Sequence, residues 1–208
     1  MKVKELLEMN AIAGYGDWHP GENSLGFLSL NGLERYYTKI DDINTGLGVL
    51  EFYKINANHH YVLGRKVSKN VSTKKGIEIE EKLEVILKMT LTPVEYVGQS
   101  FLNVDEVEVK SNARCYGIAL QMYRYFLKEL KHQLMGDEYQ FFGARKLWAK
   151  ISRMTDVTVD IIDVSTNSYI EKNVIVHQGS DDWDYDNRVW GKDYSGDMKD
   201  VRLILIDL

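Results

Sequence analysis

The sequence predicts an α/β (α+β) domain with one central sheet, and three observations lead there. Strand-like texture fills Val49 to Val109, a strongly amphipathic helical stripe follows, and strand-like runs return after a second helical stretch. Strands, helix, short strand, helix, strands is the order of a sheet that carries helices, so a helix-flanked sheet is expected. With 208 residues and nothing that reads as a linker, the chain is expected to form a single domain, 1–208.

Residues 11–48 are rich in Gly and polar residues, with aromatics at Tyr15, Trp18, Phe27, Tyr36 and Tyr37 and no long period. That texture predicts short helices and loops, so residues 1–48 read as an N-terminal elaboration. Val49–Ile55 and Tyr61–Leu63 flank Asn56–His60, whose residue types favour a turn, which predicts a hairpin. The lysines from Lys66 to Lys75 are interleaved with Ser68, Asn70, Ser72 and Thr73, the pattern of a solvated loop. From Ile77 to Val109 two or three antiparallel strands are expected, interrupted at Thr92-Pro93 because proline lacks the N–H that a central ladder needs. The last run, Val104 to Val109, alternates, which predicts Val107 and Val109 facing inward and Glu106 and Glu108 on a solvated face.

The clearest helix comes next. Ile118, Ala119, Met122, Tyr123, Phe126, Leu127 and Leu130 fall on one face at helical spacing, with Gln121, Arg124, Lys128 and Glu129 opposite. After a short segment, Leu134 to Gln140, the stripe Ala144, Leu147, Trp148 and Ile151 predicts a second helix. Strands are then expected at Val157–Val164, Val174–Val176 and Val201–Ile206, with an acidic loop at 181–200, all but the first within a C-terminal part, 165–208.

Composition narrows the function classes. No run of 18 apolar residues could span a bilayer, so no membrane insertion is expected. Met1–Met9 carries acids within its apolar stretch and reads as a short amphipathic helix, not a signal peptide. A lone cysteine, Cys115, excludes an internal disulfide and a multi-cysteine zinc site and fits a reducing compartment, so a cytoplasmic location is expected. The net charge of -5 argues against a broad nucleic-acid surface, which needs clustered Lys and Arg. His59 and His60 are adjacent, and adjacent strand positions point oppositely, so they make a poor metal pair. Residues 182–193 echo a calcium loop, with Asp182, Asp184, Asp186 and Asp193 at positions 1, 3, 5 and 12. No amphipathic helix precedes them and the last acid is the shorter Asp, so an acidic surface loop is expected and no metal.

The informative feature is a strand ending at Val109, a polar bridge, then Arg114-Cys115-Tyr116-Gly117-Ile118-Ala119 opening the amphipathic helix. Small residues at a helix start let backbone N–H groups approach a phosphate, and the helix dipole favours its charge. Small residues there also serve close packing of helix on sheet. The segment lacks the Gly-x-x-x-x-Gly-Lys-Ser/Thr of a P-loop, and it follows an antiparallel region where a dinucleotide fold needs an early parallel strand.

With Arg114, Gly117 and Ala119 in an Arg-x-x-Gly-x-Ala pattern after a strand ending in Val, the chain resembles the GNAT N-acetyltransferase superfamily, over roughly residues 47–164. Its Leu-Trp-x-Lys helix and Trp-rich acidic tail look like the acetyltransferase-like proteins of bacteriophages, which implies a host cytoplasm. The resemblance implies a mixed, mostly antiparallel central sheet flanked by helices, with 49–164 as the cofactor-binding core. It also implies acetyl-CoA as cosubstrate, its pyrophosphate on the backbone of Arg114, Cys115, Tyr116, Gly117, Ile118 and Ala119, and its pantetheine beside Val107 and Val109. The expected acceptor is an amine on a small molecule or a protein lysine, suited by an acidic mouth, and a strand-borne base removes its proton.

Position on the strand makes Asp105 the first choice of base, since Asn103, at the other family position, cannot take a proton. Glu106, one residue on, and Glu108 are the other candidate bases. Where many family members have a tyrosine to protonate the departing thiolate, this chain has Trp148, whose indole only donates and keeps its proton. Tyr139, Tyr116 or water could serve instead. The other reading is a protein of this kind that binds or inhibits a host component without turnover.

Overall fold

The computed structural model describes residues 25–30, 35–55, 59–73, 76–137, 142–177, 189 and 200–207. They divide into two compact units, taken in turn: the residues up to Thr90 with Glu106–Ile118, and Leu91–Asp105 with Ala119 onward.

The first unit is antiparallel sheet. Its strands are β1 (Phe27–Ser29), β2 (Tyr37–Thr45), β3 (Gly48–Ile55), β4 (His60–Thr73), and the parts of β5 (Gly76–Tyr96) and β6 (Gln99–Val109) that fall within it. β2 pairs with β3, β3 with β4 and β4 with β5, while β1 adds to β5 through Leu28↔Leu83. The β2–β3 turn is set by Thr45, whose hydroxyl accepts the Leu47 N–H and donates to the Gly48 carbonyl, and by Gly48 at φ 95°, where a side chain would be strained. Leu25, Leu28, Tyr37, Tyr53, Val62, Leu83 and Val85 form one core cluster. Elsewhere in the unit Phe52 stacks on Tyr61 with centroids 5.6 Å apart. Each such buried side chain contributes about 1.5–3 kcal/mol of transfer free energy.

In the second unit β5 ends in the two-residue turn Val97-Gly98, both at positive φ, which returns the chain into β6. A valine in that region is strained; packing in the Phe101, Met135, Ile162 and Ile204 cluster and the Asn167 oxygen that accepts its N–H hold it there. Helix α1 (Ile118–Lys128) is the crossover between β6 and the parallel strand β7 (Leu134–Gly136). After α2 (Phe142–Ile151) come β8 (Val157–Asp163), β9 (Ser168–Glu171) and β10 (Val201–Asp207), with β10 antiparallel to both β7 and β8.

The predicted architecture needs correction. Of the described residues 58% are strand and 20% helix, so the chain is mostly sheet and not the helix-flanked, GNAT-like α/β (α+β) fold that the sequence predicts. Tyr37–Thr45, expected as loop or short helix, is a strand because every residue but Ile40, at a bulge, finds a partner on β3. The lysine-bearing run from Lys66, expected as a loop, is strand to Thr73 because it pairs residue for residue with Gly76–Leu83. β5 passes through Thr92-Pro93 without a break. Val174–Val176 is not strand; the strand there is Ser168–Glu171. Among the described residues no helix is long and apolar enough to cross a membrane.

Candidate functional site

β6 carries the three candidate carboxylates, and the structure gives them different surroundings. Asp105 is exposed and accepts two hydrogen bonds of 2.6 Å, one from the Thr92 hydroxyl and one from the Asn103 amide nitrogen. Glu106 lies 3.3 Å from the ammonium of Lys88, a side chain only 13% exposed, and so serves as counter-ion to a sheltered cation. Glu108 is half-buried. The expected alternation is therefore not realised: Glu106, Val107, Glu108 and Val109 are all half-buried, and Lys88 of the neighbouring strand β5 gives Glu106 its partner.

Beyond Val109 the chain forms a 3-10 turn, Ser111–Tyr116, and then Gly117, at φ 67° and ψ 26°, opens α1 at Ile118. The left-handed backbone is what requires glycine here; among the described residues a Cβ at this position would meet no atom within 4 Å, so with respect to them the space beside it is open. Arg114 donates from Nε to the Val109 carbonyl, 3.1 Å, tying the turn back to the strand it left. Ile118 is buried, Ala113 likewise, and these two side chains seat the turn. Cys115 and Tyr116 are exposed. Ala119 is half-buried on α1, and the first turn of that helix holds no acid of its own to offset its positive end.

Sequence reasoning missed several residues that support this turn. Gly46 leaves room for the Tyr116 ring: a Cβ there would lie 2.9 Å from Tyr116 Cδ1. Lys110, which precedes the turn, donates to buried Glu84, and Arg65 donates to the same carboxylate at 2.5 Å. Burial by itself would raise the Glu84 carboxyl; the bonds from Lys110 and Arg65 outweigh it and hold the group below the ordinary glutamate range. None of these had a local signal, because each partner lies about 20 to 70 residues away in sequence.

Trp148 is fully buried on α2 and meets Tyr123 edge to face at 5.8 Å. Burial pushes the Tyr123 phenol far up, so it is no proton donor either. His59 approaches the Tyr61 hydroxyl and His60 the Thr90 hydroxyl, each at 3.4 Å. Tyr139 lies outside the described residues, as does the acidic loop 182–193 apart from Val189. No protein-family model matches the sequence, and no curated protein matches it either.

Proposed function

We propose that the chain is an acyl-CoA-dependent N-acetyltransferase that passes an acetyl group from acetyl-CoA to a primary amine by direct attack. The observation that carries this reading is the sequence of a strand, a short 3-10 turn, a left-handed glycine and a helix whose first turn holds no acid, falling on Arg114-x-x-Gly117-x-Ala119. Backbone N–H groups and a positive helix end suit a pyrophosphate, and the open space beside Gly117 leaves the approach clear. The register of β6 with β7 covers Leu102–Val104 only; β7 ends at Gly136 while β6 runs on to Val109. A strand edge of that kind suits an extended polyamide such as pantetheine, which adds to it as a further strand would.

Acetyl-CoA supplies the activated acyl carbonyl. Asp105 takes the proton that the amine loses as its nitrogen bonds to that carbon, and the carbon–sulfur bond breaks, so that amide and free thiol are the products. Glu106, neutralised by Lys88, is the poorer base. One observation favours a second reading, an acyl-CoA binder with little turnover: Trp148 and Tyr123 are both buried, and neither offers a proton to a departing thiolate.

Calorimetry with acetyl-CoA tests binding, and thiol release on adding a polyamine or a lysine peptide tests turnover. Binding is expected in the parent and in Gly117→Ala, which carries the backbone strain alone, but not in Gly117→Glu, which fills the open space and repels phosphate. No heat of binding at millimolar acetyl-CoA refutes both readings; binding without thiol release selects the second.

A further inference from the structure

The partners that hold Asp105 on β6 are neutral. Glu106 faces Lys88, while Asp105 is held by an alcohol and an amide, so its negative charge stays uncompensated at an exposed position. An exposed aspartate on a strand ordinarily samples several rotamers. Here one oxygen, Oδ2, takes the Thr92 hydroxyl from the adjoining strand and the other, Oδ1, takes Asn103 Nδ2 from two residues back on its own strand. Two anchors on the two oxygens fix both the position and the plane of the carboxylate. Thr92 is itself constrained, because the residue before a proline is confined to extended backbone, and Pro93 follows it. Asn103 is half-buried, and its Oδ1 is buried with no hydrogen-bond partner. A residue serving packing alone would be better apolar there, since an orphaned acceptor opposes folding. What the amide gains is the bond to Asp105.

We infer that Thr92 and Asn103 are positioning residues, a two-point clamp that aims the Asp105 carboxylate at the amine without neutralising it. The inference rests on the acetyltransferase reading and deepens it by naming what orients the base. A general base displaced by a fraction of an ångström or turned out of plane loses its near-attack geometry, so removing one anchor is expected to lower kcat between about 10- and 100-fold.

Thr92→Val and Asn103→Leu are measured by thiol release from acetyl-CoA with a polyamine or lysine peptide, each alone and in the Asp105→Asn background. Both single variants are expected to lower kcat and leave the KM for acetyl-CoA unchanged. Thr92→Ser, which restores the hydroxyl, is expected to recover the rate. Asn103→Leu removes the orphaned acceptor, so its melting temperature is expected to equal or exceed the parent's while its rate falls, a combination that a purely structural role does not give. In the Asp105→Asn background neither substitution is expected to lower the rate further, because the group they aim is gone. Parent-like kcat in both single variants overturns the clamp alone. So do losses that multiply onto Asp105→Asn. A parent chain that releases no thiol overturns the acetyltransferase reading, and the clamp with it.

Discussion

Lys110→Met tests whether the contact between Glu84 and the residue preceding the candidate turn holds that turn in place. The substitution keeps the aliphatic stem and the backbone bonds, in which the Lys110 N–H goes to the Ile86 carbonyl and the Ala113 N–H comes to the Lys110 carbonyl. Only the ammonium is lost. Glu84 has a side chain 10% exposed and is left with Arg65, itself 48% exposed and so the more water-screened of the two partners. A charged hydrogen bond contributes about 1.5–3 kcal/mol when sheltered, and the partial exposure of Lys110 points to the lower half of that range. At about 2–4 °C per kcal/mol for a chain of this size, the melting temperature should fall by about 3–8 °C. The pH dependence has a definite sign. The folded-state value of Glu84 lies below its ordinary 4.5, so its contribution is present above that pH and is lost as pH falls through the folded value. The gap between parent and variant should therefore be widest near neutrality and close in acid. Melting curves from pH 7 to 3, with Glu84→Gln as the partner variant, supply the check. A gap that stays constant down to pH 3, or no gap at pH 7, refutes the reasoning.

Three further expectations are simpler. Gly64→Ala would place a Cβ 2.5 Å from the Glu84 carbonyl oxygen and 2.8 Å from Leu83 Cγ at the β4–β5 bulge, so denaturant melts should show a loss of about 1–3 kcal/mol or more. Trp148→Tyr should lower the melting temperature and leave thiol release no faster, because a phenol buried at that position gains no route to substrate; a faster enzyme would contradict the placement of Trp148 as core. The bond from Lys128 holds the Asp207 carboxyl below its usual range against the opposing effect of burial, with Lys131 adding to it. Lys128→Gln should therefore move the Asp207 titration upward in NMR.

What the sequence determined by itself is local. The helical stripe from Ile118 is α1, and Ala144 to Ile151 lie within α2, because a 3.6-residue period of apolar side chains is written within one turn of chain. Turn chemistry between Ile55 and His60 marked the β3–β4 hairpin for the same reason, and Trp148 as core followed from its place in a stripe. Arg114, Gly117 and Ala119 could be singled out as candidates because they fall within six residues of chain. What only the tertiary structure decided is which distant groups meet. Tyr37–Thr45 and Lys66–Thr73 are polar enough to read as loop, and they became strands through ladder bonds to residues that no local window contains. The same holds for the carboxylates: Asp105, Glu106 and Glu108 look alike along the chain. Partners from β5, Thr92 for Asp105 and Lys88 for Glu106, separate the exposed anion from the ion pair, because electrostatic character is set by distance in space.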